Sequence, residues 1–165
     1  MTAKVILNPY SNRWNAKTRW PQAEAALKAC GIDFSLAISE YPHHVIDLAE
    51  QAARDGFSPL IAAGGDGTIG EVVNGMARAA ELKSKEIGPL GVLPLGTAND
   101  LVCNLGLPLE LEAAARVIAA NQTRVAFFII FPSLKSLSTG GPGVLSQLSN
   151  HVQGRAFTRQ SAAIL

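Results

Sequence analysis

A chain of 165 residues with 48% hydrophobic content can bury one substantial core, and two ordinary domains would be cramped in it. Its net charge of +1, with 16% charged residues, carries none of the basic excess that marks a nucleic-acid partner. The two cysteines, Cys30 and Cys103, form no CxxC pair, which argues against a zinc site or a redox couple and for free thiols in a reducing compartment.

The first element is the apolar, β-rich run Ala3 to Leu7, which stops at Asn8-Pro9 and reads as a buried strand ending in a loop. From about Pro21 to Cys30, Ala23, Ala26, Leu27 and Cys30 recur at helical spacing, with Pro21 suited to a first turn and Gly31 as the stop. Phe34 to Ile38 reads as a second strand and His44 to Arg54 as a helix closed by Asp55-Gly56. Pro59 to Ala63 is a third strand, followed by a glycine-rich turn and a helix from about Ile69 to Ala80. Leu90 to Leu95 is a fourth strand, and helical stretches follow around Asp100–Leu105 and Leu109–Ala120.

Strands alternating with helices predict an α/β fold, a mostly parallel sheet with helices on both faces, because parallel strands need crossover connections. Ligands of such sheets bind beyond the carboxyl ends of the strands. Here those ends are Asn8 to Ser11, Ser39-Glu40, Gly64 to Thr68 and Gly96 to Asp100, so four polar or glycine-rich turns converge on one rim.

After about Arg124 this grammar stops. All thirteen acidic residues lie at or before Glu112, where nine basic residues oppose them; residues 113–165 hold Arg116, Arg124, Lys135, Arg155 and Arg159 and no acid. The expected organisation is a domain over 1–124 and an atypical, basic, poorly ordered tail over 125–165. Such a tail fits either contact with anionic lipid or a chain that is cut or leaves its natural reading frame near this point. Apart from the apolar run Val125 to Phe131, far short of the roughly 20 residues of a spanning helix, the tail shows no period. The N-terminus lacks the charged start and apolar core of a signal peptide, so the expected location is cytoplasmic, with at most peripheral contact at the inner membrane face.

The richest stretch is Ala62 to Gly75, AAGGDGTIGEVVNG, with five glycines and two carboxylates. Gly65-x-Gly67-x-x-Gly70 matches the dinucleotide fingerprint literally, but the acid that should follow the next strand to bind a ribose is absent, since that strand ends in Pro94-Leu95-Gly96 and Glu86 precedes it. No GxxxxGK[ST] loop occurs either. What remains is a backbone cradle without a fixed lysine, in which N–H groups approach phosphate oxygens and the start of a helix adds positive character. Asp66 in its centre would repel phosphate unless magnesium lies between them or the carboxylate takes a proton from an attacking hydroxyl; the plainer alternative is that it caps the helix that follows. In the second turn, Thr97 and Asn99 can present donors to phosphate or purine, and Asp100 suits capping as well as ligand contact.

The ordered set Asn8-Pro9-x-Ser11, Gly64-Gly65-Asp66-Gly67-Thr68, Glu71-Val72-Val73-Asn74-Gly75 and Pro94 to Asp100 closely resembles the catalytic domain of the diacylglycerol kinase family over residues 3 to 124. The family includes sphingosine, ceramide and bacterial lipid kinases. The resemblance implies transfer of the γ-phosphate of ATP, with Mg2+, to the free hydroxyl of a lipid, and no nucleic-acid partner. It places the nucleotide phosphates at Gly65, Asp66, Gly67 and Thr68, with Asp66 as general base or metal-linked carboxylate. Asn8 and Ser11 match the first nucleotide-contacting loop, Thr97 in the Gly96 turn matches a threonine near the adenosine, and Ser39 keeps a hydroxyl where the family often has threonine. Glu71 and Asn74 match polar residues facing the site, and their i, i+3 spacing puts them on one face of a helix. Asn12 departs from the family's glycine, although asparagine tolerates positive φ, and His44, where the family often has His or Asp, suits a helix start better than a catalytic base. The family also has a following β-rich domain that closes over the lipid, for which too few residues remain, and no acid. Two other readings stand beside the lipid kinase: an NAD kinase, which shares the glycine loop, and a non-catalytic nucleotide-binding fragment.

Overall fold

The computed structural model describes residues 2–83, 87–121, 124–130 and 158–165. In chain order the elements are β1 (Ala3–Leu7), α1 (Asn15–Ala29), β2 (Phe34–Ile38), α2 (His44–Arg54), β3 (Leu60–Gly64), α3 (Asp66–Lys83), β4 (Leu90–Pro94), α4 (Asp100–Asn104), α5 (Leu111–Ala119), β5 (Arg124–Ile130) and β6 (Thr158–Ile164). They build one sheet in the order β2-β1-β3-β4-β6-β5. β1 to β4 pair in parallel, β6 joins β4 through the single pair Leu90 and Ile164, and β5 runs antiparallel to β6.

The sheet separates two cores. Ala3, Val5, Leu7, Ile61, Ala63 and Leu93 face α1 and α5 on one side. On the other, Ile6, Leu60, Ala62, Leu90 and Val92 face α2 and α3. Every residue of β3 and β4 is buried, which is why these strands read as continuous apolar runs without alternation. Helix α5 shows how little is needed to seat a helix: Leu111, Ala114, Ala115 and Ile118 form one apolar stripe. Helices α2 and α3 touch at Gly75, where a Cβ would stand 2.6 Å from that of Ala49 and 2.8 Å from the Glu50 nitrogen. On the exposed surface between α1 and α5, the Gln22 amide donates to the Glu112 carboxylate at 2.9 Å, and that bond holds the Glu112 carboxyl below its usual range.

The start of α1 and the presence of β6 differ from expectation. Helix α1 starts at Asn15, so Pro21 lies in its interior, not its first turn. The carbonyl it leaves without a partner belongs to Lys17, and both residues are exposed, so solvent can take the missing bond. Ala16 and Trp20 are the core residues that extend the helix backwards, with Trp20 edge-on to Phe34 at 6.2 Å. Strand β6 was not signalled by any period; it delivers Ile164 and Leu165 into buried positions, and the Leu165 N–H donates to the Leu90 carbonyl at 2.7 Å. The run expected from Val125 lies in β5, while Phe131 and the rest of the tail to residue 157, with its Gly140-Gly141-Pro142-Gly143 cluster, fall outside the described residues.

The chain leaves β1 toward β2 on one side and returns to β3 on the other, so its direction of winding reverses between β1 and β3. A crevice opens at the carboxyl ends of strands at such a point. Backbone bonds hold those ends level: Asn8 N–H to the Ala63 carbonyl at 3.0 Å, Ser39 N–H to Leu7 at 2.9 Å, and Leu95 N–H to Gly64 at 2.9 Å.

Candidate functional site

At the reversal point, α3 begins three residues earlier than its apolar period indicates, at Asp66. Asp66, Gly67 and Thr68 therefore form its first turn, and Ile69 makes the first N–H bond back, to Gly65 at 3.0 Å. The first N–H groups of a helix have no acceptor within it, and with the helix dipole they attract anions. Like Gly70 one turn on, Gly67 is under no packing constraint. A Cβ on it would meet nothing within 4 Å, and no positive φ requires a glycine. Helix propensity and packing alone would favour alanine, so the space beside Gly67 is open to something other than this chain.

A polar cluster braces this turn. Asn8 Nδ2 donates to Thr68 Oγ1 at 3.1 Å, Ser11 Oγ lies 3.1 Å from the same oxygen, and Asn8 Oδ1 accepts from Tyr10 N–H at 3.1 Å. Thr68 is only 3% exposed, so in this arrangement it joins the β1 loop to α3. Asn12, standing where the resembled family has glycine, indeed takes a positive φ of 54°, followed by Arg13 at 51° and Trp14 at 74°.

The second glycine turn meets the first across Gly65 and Gly96. A Cβ on Gly65 would stand 3.0 Å from the Gly96 Cα, and one on Gly96 would stand 2.6 Å from Asn99 Oδ1. Asn99, left-handed at φ 53° and 7% exposed, accepts from Gly96 N–H through Oδ1 and donates to the Gly96 carbonyl through Nδ2, both at 3.2 Å. The expected donor to phosphate or purine is thus turned inward and closes its own loop. Thr97 stays exposed, and its hydroxyl donates to Asn12 Oδ1 at 3.0 Å, joining the first loop to the second. Arg19 on α1 adds a bond from Nη1 to the Pro94 carbonyl at 3.2 Å. Neither Arg19 nor the Asn12 link carries a sequence signal, because both depend on how α1 lies over β4.

Asp66 is the carboxylate of the cradle, and the structure gives it a task that the sequence did not suggest. Its Oδ2 accepts from Asp100 N–H and its Oδ1 from Leu101 N–H, each at 3.0 Å. It therefore caps α4, not the helix it belongs to. Asn99, the residue at the α4 N-cap, supplies no side-chain bond to that helix. Asp100, expected to suit capping as well as ligand contact, itself receives this cap on its backbone N–H.

Other predicted residues lie farther from this centre. Glu71 Oε1 is 3.0 Å from Nδ1 of His43, the left-handed residue before α2. Asn74 turns Nδ2 back to the Gly70 carbonyl at 2.9 Å, and its buried Oδ1 has no partner. Ser39 is buried at the end of β2, a strand away from the crevice. His44 has the helix-start role: Nδ1 accepts from Glu40 N–H at 3.1 Å, and its ring stacks on Tyr41 at 4.1 Å. Among the described residues no group of three His, Cys, Asp or Glu side chains is placed to hold a metal ion.

Comparison with known proteins agrees with the motifs. The model of the diacylglycerol kinase catalytic domain matches residues 2–129. The chain is 34% identical over 165 residues to a diacylglycerol kinase of Bacillus subtilis (strain 168), covering 94% of this chain and 50% of that protein. Against a diacylglycerol kinase of Staphylococcus aureus (strain MRSA252) it is 37% identical over 116 residues, 70% of this chain and 35% of the relative. A crystal structure of a diacylglycerol kinase from Bacillus anthracis str. Sterne superposes with a TM-score of 0.63 at 25% identity, over 76% of this chain and 41% of that one. The chain thus spans half or less of the length of these relatives. On its fold, its ordered motifs and the matching domain, this chain belongs to the diacylglycerol kinase catalytic-domain family.

Proposed function

We propose that residues 1–124 form a nucleotide-binding domain that transfers the γ-phosphate of ATP to the free hydroxyl of a lipid, in a cytoplasmic protein that meets its substrate at the inner membrane face. The observation that carries this reading is the start of α3: N–H groups with no acceptor inside the helix, the open space beside Gly67 and the Asn8, Ser11 and Thr68 brace converge where the sheet reverses. In this reading the backbone of Asp66 to Thr68 holds the phosphates, and Ser11, Thr97 and Gly96 border the rest of the nucleotide.

Among the described residues no side-chain cage for a cation is placed, and the donor set suits Mg2+ arriving on the nucleotide phosphates, since this ion keeps waters and takes one or two carboxylates. Bound there, the ion would neutralise charge on the transferring group. The two backbone N–H bonds fix the Asp66 carboxylate, and its remaining lone pairs are the ones that would take the acceptor hydroxyl's proton or reach a metal-bound water. Catalysis is then mainly positioning and charge stabilisation. Glu71 and Asn74 border the α2 side, and Ser39 and Asn99 support the loops.

The direct test is incubation with γ-labelled ATP, magnesium and diacylglycerol in mixed micelles, followed by solvent extraction. Label in the organic phase supports the lipid kinase. Label transferred to NAD in the aqueous phase would establish the NAD kinase alternative, and ATP binding without transfer to either acceptor would leave a nucleotide-binding module.

A further inference from the structure

Among the described residues six large hydrophobic side chains are exposed, and five of them, Tyr10, Trp14, Leu36, Ile38 and Tyr41, gather at one end of the β2 edge. Leu36 and Ile38 pair with Val5 and Leu7, so they point to the α1 side of the sheet, on a strand whose one neighbour among the described residues is β1. Tyr10 reaches over the end of β2 and donates its hydroxyl to the Glu40 carbonyl at 3.2 Å. The Trp14 ring stands edge-on to Tyr10 at 4.7 Å, and Tyr41 follows Glu40. The result is a rim of exposed aromatic and aliphatic side chains around the end of β2, with Tyr41 stacked on His44 at the start of α2, where scattered apolar residues would need no explanation.

Two further observations bear on what meets this rim. Trp14, 63% exposed, sits at φ 74°, the last of three successive left-handed residues, a conformation that costs a bulky L-residue energy. Strain that holds an indole in water is more readily explained by a partner than by the fold. The second is charge. Arg13 lies beside Trp14, and Lys17 projects from the flank of α1 opposite Gln22, the residue that faces α5; both cations are exposed, Glu40 lies at the end of β2, and the Glu71 carboxylate reaches His43 beyond Tyr41.

We propose that this rim is the surface with which the chain rests on an anionic bilayer, Trp14, Tyr10 and Tyr41 entering the headgroup boundary, Ile38 and Leu36 beneath them, and Arg13 and Lys17 on the lipid phosphates. The assignment rests on the lipid-kinase reading and names the surface by which that site reaches its acceptor. Aromatic side chains with a polar tip and flanking cations are the composition that suits a membrane interface. A second copy is the less favoured occupant, because a two-fold contact through the rim would bring Arg13 and Lys17 toward their own copies.

The test uses the intact chain and its own fluorescence, since Trp20 is buried and Trp14 is not. Vesicles of phosphatidylcholine with phosphatidylglycerol, carrying brominated acyl chains, should quench and blue-shift Trp14 emission, and Trp14→Phe should remove the response. Partitioning should weaken by about tenfold when phosphatidylglycerol is left out and by about tenfold in Trp14→Ser/Ile38→Ser, whose fold is checked by circular dichroism. Leu109→Ser, the sixth exposed site, should bind like the parent. Absent quenching in a folded chain, equal loss in the Leu109 variant, or a change that tracks protein concentration without vesicles, as for self-association, would each overturn the proposal. Binding of ATP measured without vesicles tests the kinase reading separately, so the two can fail independently.

Discussion

Replacing Gly67 by alanine should move stability and ligand binding in opposite directions. The residue lies in the first turn of α3, its φ is not positive, and beyond its chain neighbours and its own helix backbone the added Cβ would meet nothing within 4 Å. Alanine is favoured over glycine by about 1 kcal/mol inside a helix, and a compatible Gly→Ala exchange gains about 0.4–1 kcal/mol, chiefly by restricting the unfolded chain. For a chain of this size that is a rise in melting temperature of about 1–4 °C. The same methyl group would occupy the approach to the N–H groups of Asp66, Gly67 and Thr68, and ATP affinity should fall by about ten- to a hundredfold, or about 1.4–2.8 kcal/mol. Thermal melts followed by circular dichroism and titration with a fluorescent ATP analogue read the two effects separately. Unchanged ATP affinity in the stabilised variant would refute the phosphate cradle, and a lowered melting temperature would refute the placement of Gly67 in an unstrained helical turn.

The exchange Gly96→Ala has the opposite internal consequence: its Cβ meets Asn99 Oδ1 at 2.6 Å, so urea unfolding should show a loss of about 1–3 kcal/mol together with weaker nucleotide binding. Asp66→Ala removes both side-chain bonds to the start of α4 and should cost about 1–2 kcal/mol in the absence of any ligand, with Asp66→Asn between it and the parent; a fully stable alanine variant would mean that the cap contributes nothing. Asn99→Gly keeps the left-handed backbone and loses only the two amide bonds to Gly96, so denaturation should show a milder loss than Asn99→Ala, which also strains φ.

Much of the fold is legible because each element answers to local chemistry. β1 and α2 begin and end where the apolar period and its stop signals put them, and the fully buried β3 and β4 could be read as continuous apolar runs. Boundaries failed where tertiary burial overrode a local signal. Pro21 is a strong start marker, yet Trp20 and Ala16 gain enough from the core to carry α1 past it. α3 starts at Asp66 because its first turn is shaped by Gly64 to Thr68, residues that read as loop. β6 holds its place through antiparallel pairing with β5, one pair with β4 and the burial of Ile164 and Leu165, which no periodicity can announce.

By itself the sequence determined the chemistry of the rim: which turns carry glycine, hydroxyl and carboxylate groups, and that strand–helix alternation brings the turns to one end of a parallel sheet. These follow from neighbours along the chain, where spacing sets periodicity and turn type. Only the tertiary structure decided what each group does there. Asp66 caps a helix that begins 34 residues after it, Asn99 closes its own turn, and Thr68 is pinned by Asn8 and Ser11 from the loop after β1. Such assignments depend on directions and distances between elements far apart in sequence, which winding order and core packing fix and local spacing does not.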